Sequence, residues 1–339
     1  MGTLTGVYDY TVVGSDVITG ALEDIQVVQP GETISNNDQT TALRELNLLT
    51  KAWMGKPGFA PGLKRWSRSY VYMFLRLNKN IYTFGQTAQT TDNAARNGYS
   101  STTTTAAAAS GQAVIVVSPT VLTWPTGVAG GVVATGDNVG VLLTTGDYQW
   151  STVTVSGNNW TLGVNLTANV ASGAQVFSYP TANIVDLPLD FLTCMRRDIN
   201  GIDYPMDKML DIQDYDKITN KNITTTPVSW FFEKKLYTGN LYLTGFPATL
   251  TDVIRAAVLY PLDDVTAVTN NVAFPQQWYS PLTMALSKVL CPKYGKAWTQ
   301  VNEDNLKEAM ASAAAVDPEV VGDYFQPGKE FGTENYSSY

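Results

Sequence analysis

Apolar residues at helical spacing mark the clearest element of the chain. Between Ser35 and Trp53, Ala42, Leu46, Leu49 and Trp53 recur at steps of four, three and four, which lays one apolar stripe along a helix. Ser35, with Asp38 three residues on, has the spacing of an N-cap and its acidic partner. Gly55-Lys56-Pro57-Gly58 ends the element. Asn47 sits beside the stripe, and such a residue is expected to face water or cap a neighbour. A Leu and Trp face needs cover. The best partner lies far along the chain, at 275–291, where Trp278, Leu282, Ala285, Leu286 and Val289 form a second helical stripe.

The same period predicts a first helix over 15–28, capped by Ser15 or Asp16, with Val17, Ile18, Leu22, Ile25 and Val28 inward. A last helix is expected over 303–316, with Leu306, Met310 and Ala313 on its face. Between the helical ends the pattern turns to β. Strands are expected at 69–77, 81–84, 184–196, 227–234, 240–244 and 253–260, with a hairpin at 199–205 and a helical turn at 210–218 started by Asp211. Residues 86–110 read as a low-complexity linker or mobile edge. A small β module follows over 113–179, anchored by Trp150 and Trp160.

The expected fold class is therefore α+β. A helical bundle forms from the amino- and carboxy-terminal segments (1–62 and 274–322), and an antiparallel β sandwich or barrel from 63–96 and 181–273. Residues 97–180 are expected to be linker and inserted β module, and 323–339 an extended arm.

Composition narrows the chemistry. Of 339 residues, 22 are basic and 30 acidic, a formal charge of −8, which argues against a surface that grips nucleic acid by neutralising phosphates. Histidine is absent, which removes the commonest general base and most zinc and iron ligand sets. Cys194 and Cys291 cannot build a disulfide framework and are expected as half-buried thiols. No apolar run approaches the roughly 20 residues of a membrane span, no signal peptide is seen, and the myristoylation pattern fails at Gly6. The carboxylates that invite a hydrolase reading, Asp211, Asp214, Asp216, Asp263 and Asp264, stand in turn-like settings, and the calcium-loop pattern fails. Lys64-Arg65-Trp66-Ser67-Arg68, the densest basic cluster, reads as the exposed start of a strand. No metal, cofactor or catalytic set is expected.

The order of several segments resembles the head-to-tail adaptor proteins of short-tailed bacteriophages. The carrying stretches are ITGALEDIQVVQPGETISNNDQTTALRELNLLTKAW, NIYTFG, PLDFL, YPMDKMLDIQDYDKI, PVSWFFEKKLYTGNLYLTGFP, VLYPLDD and FPQQWYSPLTMALSKVLCPKYG, which between them sample most of the chain. The resemblance implies a structural virion protein without enzymatic activity, assembled in the host cytoplasm and kept at the neck of the virion. It implies a ring of about twelve copies under the portal protein, with a tail or nozzle protein beyond, and genomic DNA passing without sequence readout. Carried over by position, the portal-side helices hold Leu46, Leu49, Trp53, Trp278 and Leu282, and a docking arm holds Tyr324, Phe325, Gln326 and Pro327. Two other readings rest on isolated residues: a carbohydrate-binding tail or adhesion component using exposed Trp150 and Trp160, and a carboxylate hydrolase using Asp263.

Overall fold

The computed structural model describes residues 10–55, 66–86, 91–124, 128–129 and 133–316. The chain divides into two compact units: 1–63 with 264–339, and 64–263. The pattern of the sequence put the second boundary at 273; residues 264–273 instead stay with the helices.

In the first unit, helix α1 spans Gly14–Asp24 and α2 spans Asn36–Gly55. Helix α3, Tyr279–Leu290, is the hub: α1, α2 and α4 (Gln300–Val316) all pack on it. Ser35 caps α2 as its spacing predicts, its Oγ accepting from Asp38 N–H at 3.2 Å and donating to the Asp38 carboxylate at 2.6 Å. Helix α1 starts one residue earlier than expected and ends at Asp24, although Ile25 and Val28 beyond it remain buried. Neither Ser15 nor Asp16 is its cap residue. Val13 takes that place, and Asp16 accepts from the Val13 N–H at 3.4 Å.

The second unit is β. Its strands in chain order begin with β1 (Arg68–Phe74), β2 (Ile81–Gly85), β3 (Ala94–Arg96) and β4 (Tyr99–Thr103). Next come β5 (Val114–Val116), β6 (Leu122–Trp124), β7 (Val128–Ala129), β8 (Asn138–Leu142), β9 (Tyr148–Ser156), β10 (Asn159–Leu162) and β11 (Gln175–Tyr179). The set ends with β12 (Asp190–Arg197), β13 (Asp203–Pro205), β14 (Asp207–Lys208), β15 (Thr224–Thr225), β16 (Ser229–Lys234), β17 (Thr238–Leu243), β18 (Phe246–Pro247) and β19 (Val253–Leu259).

These strands form stacked layers because β1 is apolar on both faces. Val71 and Met73 look one way, into a core shared with Phe191, Ile254 and Val258 of the same sheet and with Tyr82, Phe84, Trp230, Phe232 and Leu241 of another. Tyr72 and Phe74 look the other way, onto Tyr99, Tyr148, Phe177 and Tyr179. The middle layer is the five-stranded sheet β13-β12-β19-β1-β3, with the four-stranded sheet β14-β16-β17-β2 against one face. Against the other lies the eight-stranded sheet β5-β10-β9-β8-β11-β4-β6-β7. That last sheet curls around its own core of Val139, Val141, Trp160 and Val176 until Thr104 bridges Val117. The segments expected to form a sandwich or barrel, 63–96 and 181–273, build the five- and four-stranded sheets, which share one core as open layers, so the sandwich half of the expectation describes them.

One expectation is overturned inside this unit. Of the run at 86–110, the described residues 91–110 are no linker: β3 and β4 lie in them, and β4 sits between β11 and β6 within the eight-stranded sheet. Thr102 and Thr104 bury because their hydroxyls reach carbonyls. Thr102 donates to Thr120 O at 2.9 Å and Thr104 to Ala171 O at 2.7 Å, so a polar-looking run satisfies its own side chains.

Candidate functional site

The helical seam is built around indole rings. Trp278 is fully buried and Trp53 nearly so; their rings meet edge-on with centroids 6.0 Å apart, and Phe274 meets Trp53 at 6.3 Å. Such pairs add about 0.5–1.5 kcal/mol beyond burial of their area. Leu46 and Leu282 are fully buried beside them, whereas Leu49 is half-buried at the seam's margin. Tyr324, Phe325, Gln326 and Pro327 lie outside the described residues.

Two polar devices lock this seam, and neither was expected. Asn47 does not face water. Its Nδ2 donates to Val265 O at 3.1 Å and its Oδ1 accepts from Val265 N–H at 3.0 Å, so one amide replaces a strand partner for that residue. The second device joins α2 to the turn after α3. Lys293 pairs with Glu45 at 2.5 Å, and the Tyr294 hydroxyl donates to Asp38 at 2.7 Å. The hydrogen bond from Lys293 holds the Glu45 carboxyl below its ordinary range; Ser35, then Tyr294, do the same for Asp38.

Three of the five carboxylates weighed for catalysis, Asp211, Asp214 and Asp264, are occupied structurally. Asp211 caps the helical turn Ile212–Asp216 by accepting from Asp214 N–H at 3.0 Å, and Asp214 pairs with Lys217 at 2.9 Å. Asp264 pairs with Lys51 at 2.9 Å. Among the described residues no group of three His, Cys, Asp or Glu is placed to hold a metal ion. Both cysteines are buried rather than half-buried, and burial pushes their thiols up.

The tryptophans proposed as an exposed sugar platform are packed away. Trp160 is 3% exposed in the core of the eight-stranded sheet. Trp150 lies over Phe74 at 4.8 Å and Tyr179 at 5.6 Å, with Gly140 beneath it; a Cβ there would sit 2.6 Å from the indole. Trp160 is buried, and the half-buried Trp150 ties β9 to β1 and β11 through Phe74 and Tyr179.

What the sequence did not show is a guanidinium array. Five of the eight arginines lie on the middle sheet: Arg68, Arg96, Arg196, Arg197 and Arg255. Arg255 stands over the Tyr70 ring at 4.2 Å, Arg96 over Tyr260 at 4.2 Å and Arg196 over Tyr204 at 4.4 Å. Asp203 takes Arg197 through both oxygens at 2.7 Å and Arg255 at 3.0 Å. Burial works against that carboxylate, yet the bonds from Arg197 hold it below its usual range. Asp252, paired with Arg196, goes the other way because its burial outweighs the pair. With rings and carboxylates on most of these guanidinium groups, the array ties strands together. Of the basic cluster at the start of β1, Lys64 and Arg65 lie outside the described residues, while Trp66 is 58% exposed.

The β unit also presents a groove of about 490 Å³ between the 186–189 segment and the end of β16, walled by Leu187, Leu189, Phe232, Leu236 and Pro261. Leu236 and Tyr237, in the β16–β17 turn, are 77% and 66% exposed. No helix among the described residues is long and apolar enough to cross a membrane. No family model matches the chain, and no curated protein matches it.

Proposed function

We propose that this protein is a structural virion component: a head-to-tail adaptor that forms a ring under the portal, joins capsid to tail and continues the DNA channel. The observation that carries the reading is the order of adaptor-like segments along most of the chain, from ITGALEDIQ to PQQWYSPLTMALSKVLC. The division of the chain supports it. Both ends supply a helical unit, and 64–263 form a separate β unit, as a protein with one face for a portal and another for a tail requires.

In this reading the helices carrying Leu46, Leu49, Trp53, Trp278 and Leu282 build the portal-side unit, while Tyr324, Phe325, Gln326 and Pro327 fasten a carboxy-terminal arm to the portal. Aromatic anchors suit docking to a preformed partner. The ring holds about twelve copies. A net charge of −8 lets DNA slide, since few phosphates are neutralised.

Electron microscopy of the purified protein mixed with its portal tests this. A second ring beneath the portal is expected. Removing 323–339 should leave the circular dichroism spectrum and melting transition unchanged while weakening portal binding by at least about tenfold, or 1.4 kcal/mol. Absence of any ring on the portal would sink the adaptor reading; a ring that forms equally well without 323–339 would sink only the docking arm.

A further inference from the structure

An open cleft of about 370 Å³ lies in the β unit, in the size range of small-molecule sites (about 300–1,000 Å³). It is distinct from the groove beside β16, and it borders the guanidinium array through Trp124, on which Arg197 stacks. The half-buried Trp124 supplies the accessible aromatic ring, Tyr99 and Tyr179 being only 4% exposed each, and hydrogen-bonding groups come from Asn97, Asp137 and Asn183.

The Trp124 ring is held in place. Arg197 stacks on it at 5.2 Å, and its edge fits against Gly201, where φ is +84° and a Cβ would come within 2.2 Å of the ring. The Asp137 carboxylate keeps one oxygen on the Ala134 N–H at 2.9 Å. Asn97 is oriented through its Oδ1, which accepts from Ser69 Oγ at 2.5 Å. Ser178, 2% exposed, also lines the cleft, and its Oγ finds no hydrogen-bond partner among the described residues.

We infer that this cleft binds a neutral sugar residue. A pyranose has an apolar C–H face that stacks on an aromatic ring and a rim of hydroxyls that donate and accept. Amides and a carboxylate are the side chains that answer both roles of a hydroxyl. An anionic ligand fits poorly, because the charge on the cleft's lining is the Asp137 carboxylate and no lysine or arginine lines it among the described residues. A purely apolar ligand would strand the amides and the carboxylate without partners. The site uses neither Trp150 nor Trp160, and it does not rest on the adaptor reading.

The test is saturation-transfer NMR on the full chain with the methyl glycosides of glucose, galactose and mannose and with N-acetylglucosamine, each at about 10 mM, a level that detects dissociation constants in the millimolar range. Maltohexaose and chitohexaose form the second arm. Transfer to the ring C–H protons of at least one probe is expected. Trp124→Ala should abolish it. Asn183→Ala, a change at a half-buried residue, should weaken it about tenfold with the melting transition unchanged. A hexamer binding more tightly than its monomer would mark a stretch of polysaccharide as the ligand, and equal affinities would mark the free sugar. Silence from every probe, or transfer that survives both substitutions, overturns the inference.

Discussion

Asn47 shows how a single side chain can decide whether a distant segment stays in place. Its amide meets both backbone groups of Val265, a residue 3% exposed and 218 positions away. Substitution by alanine removes two hydrogen bonds and strands a buried N–H and C=O. The expected cost is about 2–4 kcal/mol. Urea denaturation should show a lower midpoint at unchanged slope, and a shift smaller than the scatter between repeats would mean that Val265 finds other partners. Local pattern could not reveal this role: an asparagine beside a leucine on a helix reads as surface. The same blindness hid Thr102 and Thr104, whose acceptors, Thr120 O and Ala171 O, lie in connections 18 and 67 residues away. Ser35 and Asp38 were legible because donor and acceptor lie three residues apart.

Among elements, the long helices were the easiest to read. The stripe of Ala42, Leu46 and Trp53 is periodic, and its partner stripe with Trp278 and Leu282 is periodic too, so mutual cover follows from each needing a lid. The β module expected over 113–179 is present as strands, among them 114–116, 138–142, 148–156 and 175–179. What could not be read was that the β module has two apolar surfaces. Trp150 looks like an interior anchor of its own strand set, but its ring packs on Phe74 of β1, outside the module. Close approach of β8 to that ring requires Gly140. Gly140→Ala should push the indole off Phe74 and cost about 1–3 kcal/mol, since overpacking a formed core forces side chains off their rotamers. The thermal midpoint and the near-ultraviolet circular dichroism of the tryptophans report it. A second change, Trp150→Leu, should make the alanine at 140 nearly neutral. Additive losses in that double variant would place the strain elsewhere.

At the scale of the whole molecule, the division into a helical unit and a β unit was legible in outline. The reach of the β unit was not, because 264–273 pair with the start of α1, for example through Gly14 N–H to Asn270 O at 2.9 Å. Residues 64–263 produced alone should fold, since their sheets share cores with one another. A β-rich spectrum and one cooperative melting transition are expected; aggregation of this fragment while the full chain stays soluble would contradict it. Residues 97–180 alone should fare worse, because Tyr148, Phe177 and Tyr179 would lose Tyr72 and Phe74 as cover.

The entrance and exit of the β unit lie side by side. Strands β1 and β19 run antiparallel from the pair Arg68–Leu259, and just outside it the Tyr260 backbone N–H donates to Ser67 O at 3.0 Å. Tension applied across this doorway therefore loads the ladder from its open end, so bonds part singly, like a zip, rather than resisting together in shear. The β unit is thus mechanically soft toward a pull through its own two connections. A mechanical load delivered there would peel β1 from β19 before it strained the eight-stranded sheet behind them.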